Sequence, residues 1–461
     1  MTTEDMPEQT QRIMQQYSDT RVLEVLLPDI NGILRGKRVS REDIAQALTT
    51  GVSIPGATAL LDTQGRVFTS LEFGSTDGDP DVICRPVPGS LAQVPWAFVP
   101  TLQVLAGMFN VNGSPYFADS RHVLQTVLDR YREAGRQPVV AIELEFYLLQ
   151  DAEPGTPQPR RGRIPGTDML QRGPQYAVLD DLYELEEFLE AVQVACRVQG
   201  IPAGAAVVEF SPGQFEINLQ HVDDALLACD HALMLRRIVK AVARRAGMSA
   251  TFMAKPFAEH AGSGMHIHAS MLDEEGQNIF AQGTKLDAEP CIGDSLRHAV
   301  GGLEQSMPES MAVFAPNANS YRRLSPGSYV ALTPNWGINH RSLALRVPLS
   351  DPANARIEHR IAGADANPYL VMAAVLAGMH HGMVNHLDPG PMVQQGVKVE
   401  EKCTLPIRWE AALDVFSRAE ILPTYLGEQF CRVFEAARRE ESQTYHAQVS
   451  LKDYQWYLRA I

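Results

Sequence analysis

The alternation of apolar and polar positions sorts most of this chain into short strands and amphipathic helices. Residues 20–39, TRVLEVLLPDINGILRGKRV, hold two apolar runs around Asn31-Gly32, a turn dipeptide that predicts a β-hairpin. A mixed stretch rich in Gly and Pro continues to about residue 117. Beyond it the pattern changes to strands alternating with longer helices. Ser120 is placed to N-cap a helix whose stripe is Val123, Leu124, Val127, Leu128 and Tyr131. PVVAIELEFYLL (138–149) reads as a strand. LDDLYELEEFLEAVQVACRVQG (179–200) reads as one amphipathic helix ending at Gly200. DDALLACDHALMLRRIVKAVARRAG (223–247) reads as a second, ending at Gly247 with basic residues in its last turn. GTPQPRRGRIPG (155–166) reads as the clearest mobile loop, and helix dominates from about Asn367.

A chain of 461 residues exceeds one small core, so two domains are expected, 1–117 and 118–461. The net charge of −15 disfavours nonspecific nucleic-acid binding, which needs a positive surface. The six cysteines contain no CxxC pair, which indicates neither a disulfide framework nor a zinc ribbon. No apolar run is long enough to span a bilayer, and the polar, acidic start MTTEDMPEQT lacks the features of a signal peptide. The expectation is a reduced, cytoplasmic protein with neither nucleic acid nor membrane as partner.

Candidate chemistry lies on the strands. In GSGMHIHAS (262–270), His266 and His268 are two residues apart, so in a strand both imidazoles project from one face. That pattern suits satisfied histidines, and equally a metal ligand beside a phosphate contact. AIELEFYLL places Glu143 and Glu145 the same way, either on a wet face or around a cation that cancels their repulsion. Glu209 and Glu216 flank a Pro-Gly turn in VVEFSPGQFEINL. In ARIEHRIAG, Arg356, Glu358 and Arg360 share a face. Arg322, Arg323, Arg341 and Arg346 add guanidinium groups, which bind phosphate or carboxylate bidentately. Five glutamates and one histidine (143, 145, 209, 216, 358 and His266) suit two hard cations such as Mg²⁺ or Mn²⁺ rather than structural zinc. Cations plus arginines suit phosphoryl transfer, and with no GxxxxGK[ST] loop the nucleotide needs a non-Walker fold.

In the order ELEF, GQFEINL, KPF…GSGMHIHAS, NSYRRL, NHRSLALRVP and ARIEHRIAGADANPYL, these segments resemble the glutamine synthetase superfamily over nearly the whole chain. The resemblance implies an α+β fold: an N-terminal β-grasp domain, then a large α/β catalytic domain. It implies a dodecamer of two hexameric rings, in which each site borrows a neighbour's β-grasp domain. It makes Glu145, Glu209 and Glu216 ligands of one metal, and Glu143, His266 and Glu358 ligands of a second, within a set of two or three Mg²⁺ or Mn²⁺. His268 and Ser270 correspond to nucleotide contacts. Arg323 and Arg360, with His266 and the backbone of Gly262, correspond to glutamate contacts. Arg341, Arg346 and Arg356 correspond to groups that hold the ATP phosphates and the transferring phosphoryl group, and Arg341, Arg360, Tyr329 and Asp62 are expected to be catalytic. The family reaction phosphorylates the γ-carboxylate of L-glutamate with ATP; a nitrogen nucleophile then displaces phosphate.

The departures fall on the ammonium site. SIPGAT (53–58) has Pro55 where glutamine synthetases carry an aspartate, and PGSYVAL (326–332) has Tyr329 in place of a flap glutamate. The resemblance therefore implies a larger amine. DINGILRGKRV and RRLSPGSYV also resemble the γ-glutamylpolyamine synthetase branch, with Asp62 of LLDTQG as a replacement carboxylate nearby. Ala261 stands where many members have an asparagine that contacts glutamate. EEKCTLP (400–406) has no tyrosine where bacterial glutamine synthetases are adenylylated, only Cys403 close by, which speaks against that regulation. The competing readings are ligation to ethanolamine or isopropylamine, ordinary glutamine synthesis, and a catalytically dead relative. Retention of every ligand and arginine counts against the last.

Overall fold

The computed structural model describes residues 7–71, 73, 76–153, 156–164, 166–171, 176–281, 292–397 and 403–461. Residues 1–6, Gly155, Pro165, Cys291 and Glu400–Lys402, all within segments or residue sets noted above, lie outside the described residues.

The first apolar runs form the expected hairpin. Val22–Pro28 pairs antiparallel with Leu34–Ser40 across the Asn31-Gly32 turn. The Asp29 carboxylate accepts from the amides of Asn31 and Ile33, which fixes the turn. Val22–Pro28 also runs parallel to Thr101–Phe109, and Asp81–Pro86 and Val52–Pro55 extend the sheet beyond it. Ala92–Gln93 pairs on the side of Thr101–Phe109.

A second sheet starts from the long strand Gln137–Glu153. Val140, Ile142, Leu144, Phe146 and Leu148 point to one side and are fully buried in the core. Alternation therefore sends Ala141, Glu143, Glu145 and Tyr147 to the other side. Met265–Leu272 and then Ile357–His359 pair on one flank, followed by Leu345–Val347 and Trp336–Ile338. Gln214–Leu219 and Ala203–Val208 pair on the other flank. Helices cover the apolar side. Ala225–Arg245 packs directly on the long strand. Pro368–Val384 is apolar all round and almost wholly buried, as a core helix must be. It lies close against Asp294–Phe314: a Cβ on Gly302 would stand 2.1 Å from the Gly378 carbonyl oxygen, so only glycine permits this approach. No helix among the described residues is long and apolar enough to cross a membrane.

Three local expectations change. The helix Ser120–Glu133 is capped by Asp119, whose carboxylate accepts the Arg121 amide, so the cap lies one residue before Ser120. The 179–200 helix divides into Asp180–Tyr183 and Glu186–Val198, with the Leu185 side chain buried at the break. Within the 155–166 loop, Thr156–Pro159 is a strand that pairs with the far end of Gln137–Glu153.

The helix Glu428–His446 ties the last part of the chain to the N-terminal segment. Arg438 is buried, donating to Glu441 at 2.6 Å and to the Asn31 side chain at 2.6 Å. Glu441 accepts from the Thr63 hydroxyl at 2.5 Å, and Glu440 accepts from the amides of Thr69 and Ser70.

Glu304, on the helix Asp294–Phe314, makes a pH test of this packing possible. Burial pushes its carboxyl up to about 7, against the amide of Gly390, which donates to it at 2.6 Å. Between the ordinary value of 4.5 and about 7 the folded chain holds a proton that the unfolded chain has released. Stability therefore falls as pH rises through that window. In Glu304→Gln, thermal denaturation at mildly acidic and mildly alkaline pH should show a smaller loss of Tm than wild type. An equal loss would remove Glu304 as a contributor.

Candidate active site

The polar face of the second sheet carries the candidate chemistry in rows set by register. His266 lies opposite Glu143, and Glu145 lies opposite Glu216. His268 lies opposite Glu358, which in turn lies opposite Arg346. Directly opposed residues in an antiparallel pair share a face. Strands distant in sequence thus bring these groups together.

The face divides by charge. On the Glu358 side, Arg346 Nη1 donates to Glu358 Oε2 at 2.5 Å, and Arg360 also donates to Glu358. Glu358 is only 1% exposed. Burial opposes its ionisation, but the charges of Arg360, His266 and His268 and the hydrogen bond from Arg346 outweigh it and hold the carboxyl at about 2. Arg356 Nε lies 3.3 Å from His268 Nδ1. Glu143 sits between the halves, with His266 Nδ1 at 3.2 Å and His268 Nε2 at 3.0 Å. Burial again opposes ionisation, and hydrogen bonds from the two histidines overcome it, so this carboxyl lies well below its usual range.

The other half is acidic. Glu216 is pushed up to about 9, first by burial and then by Glu143, Glu145 and Glu209. Glu209 is pushed up to about 7 by burial and then by Glu145. Ligand atoms of Glu143, His266 and Glu358 all lie within 4.8 Å of one another, and so do those of Glu145, Glu216 and His266. Two oxygen-rich groups sharing one imidazole fit hard divalent cations, and the mutual repulsion of the acidic half is what a cation would relieve.

The remaining expected residues are not all drawn to this centre. Glu209 follows the end of Ala203–Val208 and stands off from both groups, though it acts electrostatically on Glu216. Arg341 is exposed and stabilises the Glu209 charge. Ser270, buried and two residues beyond His268, donates to the Val139 carbonyl at 3.4 Å. Arg323 is buried and donates to the Ile361 carbonyl at 2.7 Å. Gly262 and Gly264 run against it: a Cβ at Gly264 would lie 2.6 Å from Arg323 Nη2 and 3.0 Å from His266 Nε2. Tyr329 is 75% exposed on its turn. Asp62 is buried and accepts from the amides of Gln64 and Arg66 and from the Arg66 guanidinium. It organises its own loop and is not brought into the cluster. Pro55 ends Val52–Pro55 in the N-terminal sheet.

Other residues hold the site in place without a sequence signal that singled them out. Gln214 is buried; its Nε2 lies 3.4 Å from Glu145 Oε2 and 3.0 Å from the Gly262 carbonyl. It sits inside the GQFEINL segment, where only Glu216 drew notice. Asn339 adopts φ +48° and accepts from Arg346 at 2.7 Å. The ring of His221 meets that of His268 edge-on, with centroids 5.9 Å apart.

The glutamine synthetase catalytic-domain profile matches residues 117–457. Gamma-glutamylputrescine synthetase PuuA of Escherichia coli (strain K12) is 42% identical over 457 residues, covering 98% of this chain and 94% of that protein. A glutamate–isopropylamine ligase of a Pseudomonas species is 32% identical over 407 residues, covering 87% of each. Among solved structures, apo GmaS without ligand superposes with a TM-score of 0.80 at 26% identity, covering 97% of this chain and 98% of that one. The match runs through every strand of the polar face, and with it the chain belongs to the glutamine synthetase family.

Proposed function

We propose that this chain is an ATP-dependent ligase that joins the γ-carboxylate of L-glutamate to a primary amine, a polyamine such as putrescine, through γ-glutamyl phosphate. The carrying observation is the divided face: an acidic half centred on Glu145 and Glu216 beside a basic half of Arg346, Arg356 and Arg360. Pro55 and Tyr329, the replacements at the ammonium site, leave that face intact. The named activities of the putrescine synthetase and the isopropylamine ligase support ligation to an amine carrying an alkyl chain.

In this reading Arg323 and Arg360 hold the carboxylates of glutamate, and Arg341, Arg346 and Arg356 hold the phosphates of ATP beside His268 and Ser270. An oxygen of the γ-carboxylate attacks the γ-phosphorus and ADP leaves. The amine nitrogen then attacks the acyl carbon, phosphate leaves, and the nitrogen gives up one proton. Glu143, His266 and Glu358 would hold one divalent cation, and Glu145 and Glu216 with Glu209 another; Mg²⁺ or Mn²⁺ bound there neutralises phosphate oxygens. The reading extends to a dodecamer of two hexameric rings, with residues 1–117 as the β-grasp domain that completes a neighbour's site and Asp62 within it.

ADP release tests the reading with glutamate, ATP and Mg²⁺ against ammonium, ethanolamine, isopropylamine, putrescine, cadaverine, spermidine and spermine. Turnover is expected with the diamines and polyamines and is expected to be negligible with ammonium. It should rise toward alkaline pH, because an alkylamine with a pKa of about 10 attacks only when neutral. Equal rates with ammonium and putrescine would overturn it. A preference for isopropylamine or ethanolamine would support the monoamine reading that the isopropylamine ligase favours.

A further inference from the structure

Phe210 belongs to no expected role, yet it is 47% exposed at the edge of the acidic half. Its ring lies against Tyr329, with centroids 6.3 Å apart and planes inclined at 56°. The two residues come from separate arms. Phe210 sits on the turn after Ala203–Val208, held by Glu209 N–H to the Gln214 carbonyl at 2.9 Å and by Gln214 N–H to the Ser211 carbonyl at 3.0 Å. Ser211 is buried, and its hydroxyl accepts the Ala261 amide at 2.8 Å. The Phe210 amide donates to the Glu209 carboxylate, so ring and carboxylate leave the same turn. Tyr329 sits on an arm anchored at one end by Arg323, whose carbonyl accepts from Ser328, and at the other by Leu332, whose carbonyl accepts the amides of Thr404 and Leu405.

Two anchored turns thus present two large aromatic faces, side by side and open to solvent, one residue from a carboxylate that borders the cluster. Solvent-facing aromatic pairs at the rim of a polar site suit a ligand with an apolar stem and a cationic head. We propose that Phe210 and Tyr329 form an aromatic clamp for the alkyl chain of the amine, and that Phe210 is a specificity-determining residue. This rests on the amine-ligase reading. It adds that the chain is recognised by ring contact and by cation–π attraction of a distal ammonium, with Glu209 beside it.

The test is steady-state ADP release on the intact protein with glutamate, ATP and Mg²⁺, using methylamine, ethylamine, propylamine, butylamine and putrescine. For wild type, kcat/KM should climb along the monoamine series. In Phe210→Ala the climb should flatten, with about a tenfold loss for the longest amines that resides in KM, while KM for glutamate holds. Tyr329→Ala should act alike, and the double variant should lose less than the product of the two single losses. Phe210→Tyr should restore the climb. An unchanged series in Phe210→Ala, or an equal fall in kcat for every amine including methylamine, would overturn the clamp. A wild type that prefers butylamine to putrescine removes the polyamine assignment but supports the clamp, whereas a flat wild-type series overturns the clamp even if putrescine is turned over.

Discussion

Glu216→Ala should abolish turnover while leaving the fold intact. Glu216 faces Glu145 across the strand pair, and His266 Nε2 lies 3.9 Å from Glu145 Oε1. Removing one carboxylate takes a ligand from the proposed cation site and also relieves repulsion within a buried acidic half. Loss of a ligand should exceed the 10–100-fold cost typical of a mere supporting partner, so activity should fall more than about a hundredfold. Thermal denaturation of the metal-free variant should give a Tm equal to or above wild type, and the rise in Tm that Mg²⁺ gives wild type should disappear. Near-wild-type turnover at millimolar Mg²⁺ would remove Glu216 from the ligand set. A collapsed Tm without metal would mean that the carboxylate serves the fold instead.

Glu358→Ala should cost both stability and activity. This carboxylate is buried and takes Arg346 on one oxygen and Arg360 on the other. Its removal leaves two guanidinium groups beside each other without their shared anion. Breaking a buried pair from one side typically costs about 3–5 kcal/mol. Urea denaturation should show a loss of that order, with no measurable ADP release. Glu358→Gln keeps the shape and one acceptor oxygen, so it should recover part of the stability and none of the activity. A Glu358→Ala variant as stable as wild type would show that the arginines find other partners.

The polar face was legible in the sequence because period two alone decides which side chains share it. Glu143 with Glu145, His266 with His268, and Glu358 with Arg360 could be placed together without knowing any neighbour. What period two cannot supply is register between strands. That Glu216 meets Glu145, and that Glu143 lies between two imidazoles, depends on pairings between segments far apart in the chain. Glu209 shows the same limit: it follows the end of its strand, and only the fold sets it where Glu145 and Glu216 feel its charge. The stripe over 179–200 is amphipathic throughout, and its periodicity carries no sign that the backbone leaves helical geometry at Leu185, where φ is −120° and ψ is 14°. Asp119 caps in place of Ser120, its carboxylate taking the Arg121 amide on one oxygen and the Met108 amide on the other. Phe210 and Tyr329 were invisible as a pair because only the fold brings their turns together.

The tie between Glu428–His446 and the N-terminal segment bears on how the chain is made. Arg438 reaches Asn31 across 407 residues of sequence, and Glu440 reaches Thr69 across 371. A ribosome adding about 5–20 residues per second needs roughly 20–80 s to cover the first of these gaps. Throughout that interval the hairpin that begins the chain has been synthesised but lacks its buried guanidinium partner. The N-terminal sheet has earlier ties as well, since Arg237 reaches Glu24 across 213 residues and Gln103 meets Gln199 across 96, so what waits for the end of synthesis is this last clasp rather than the docking itself.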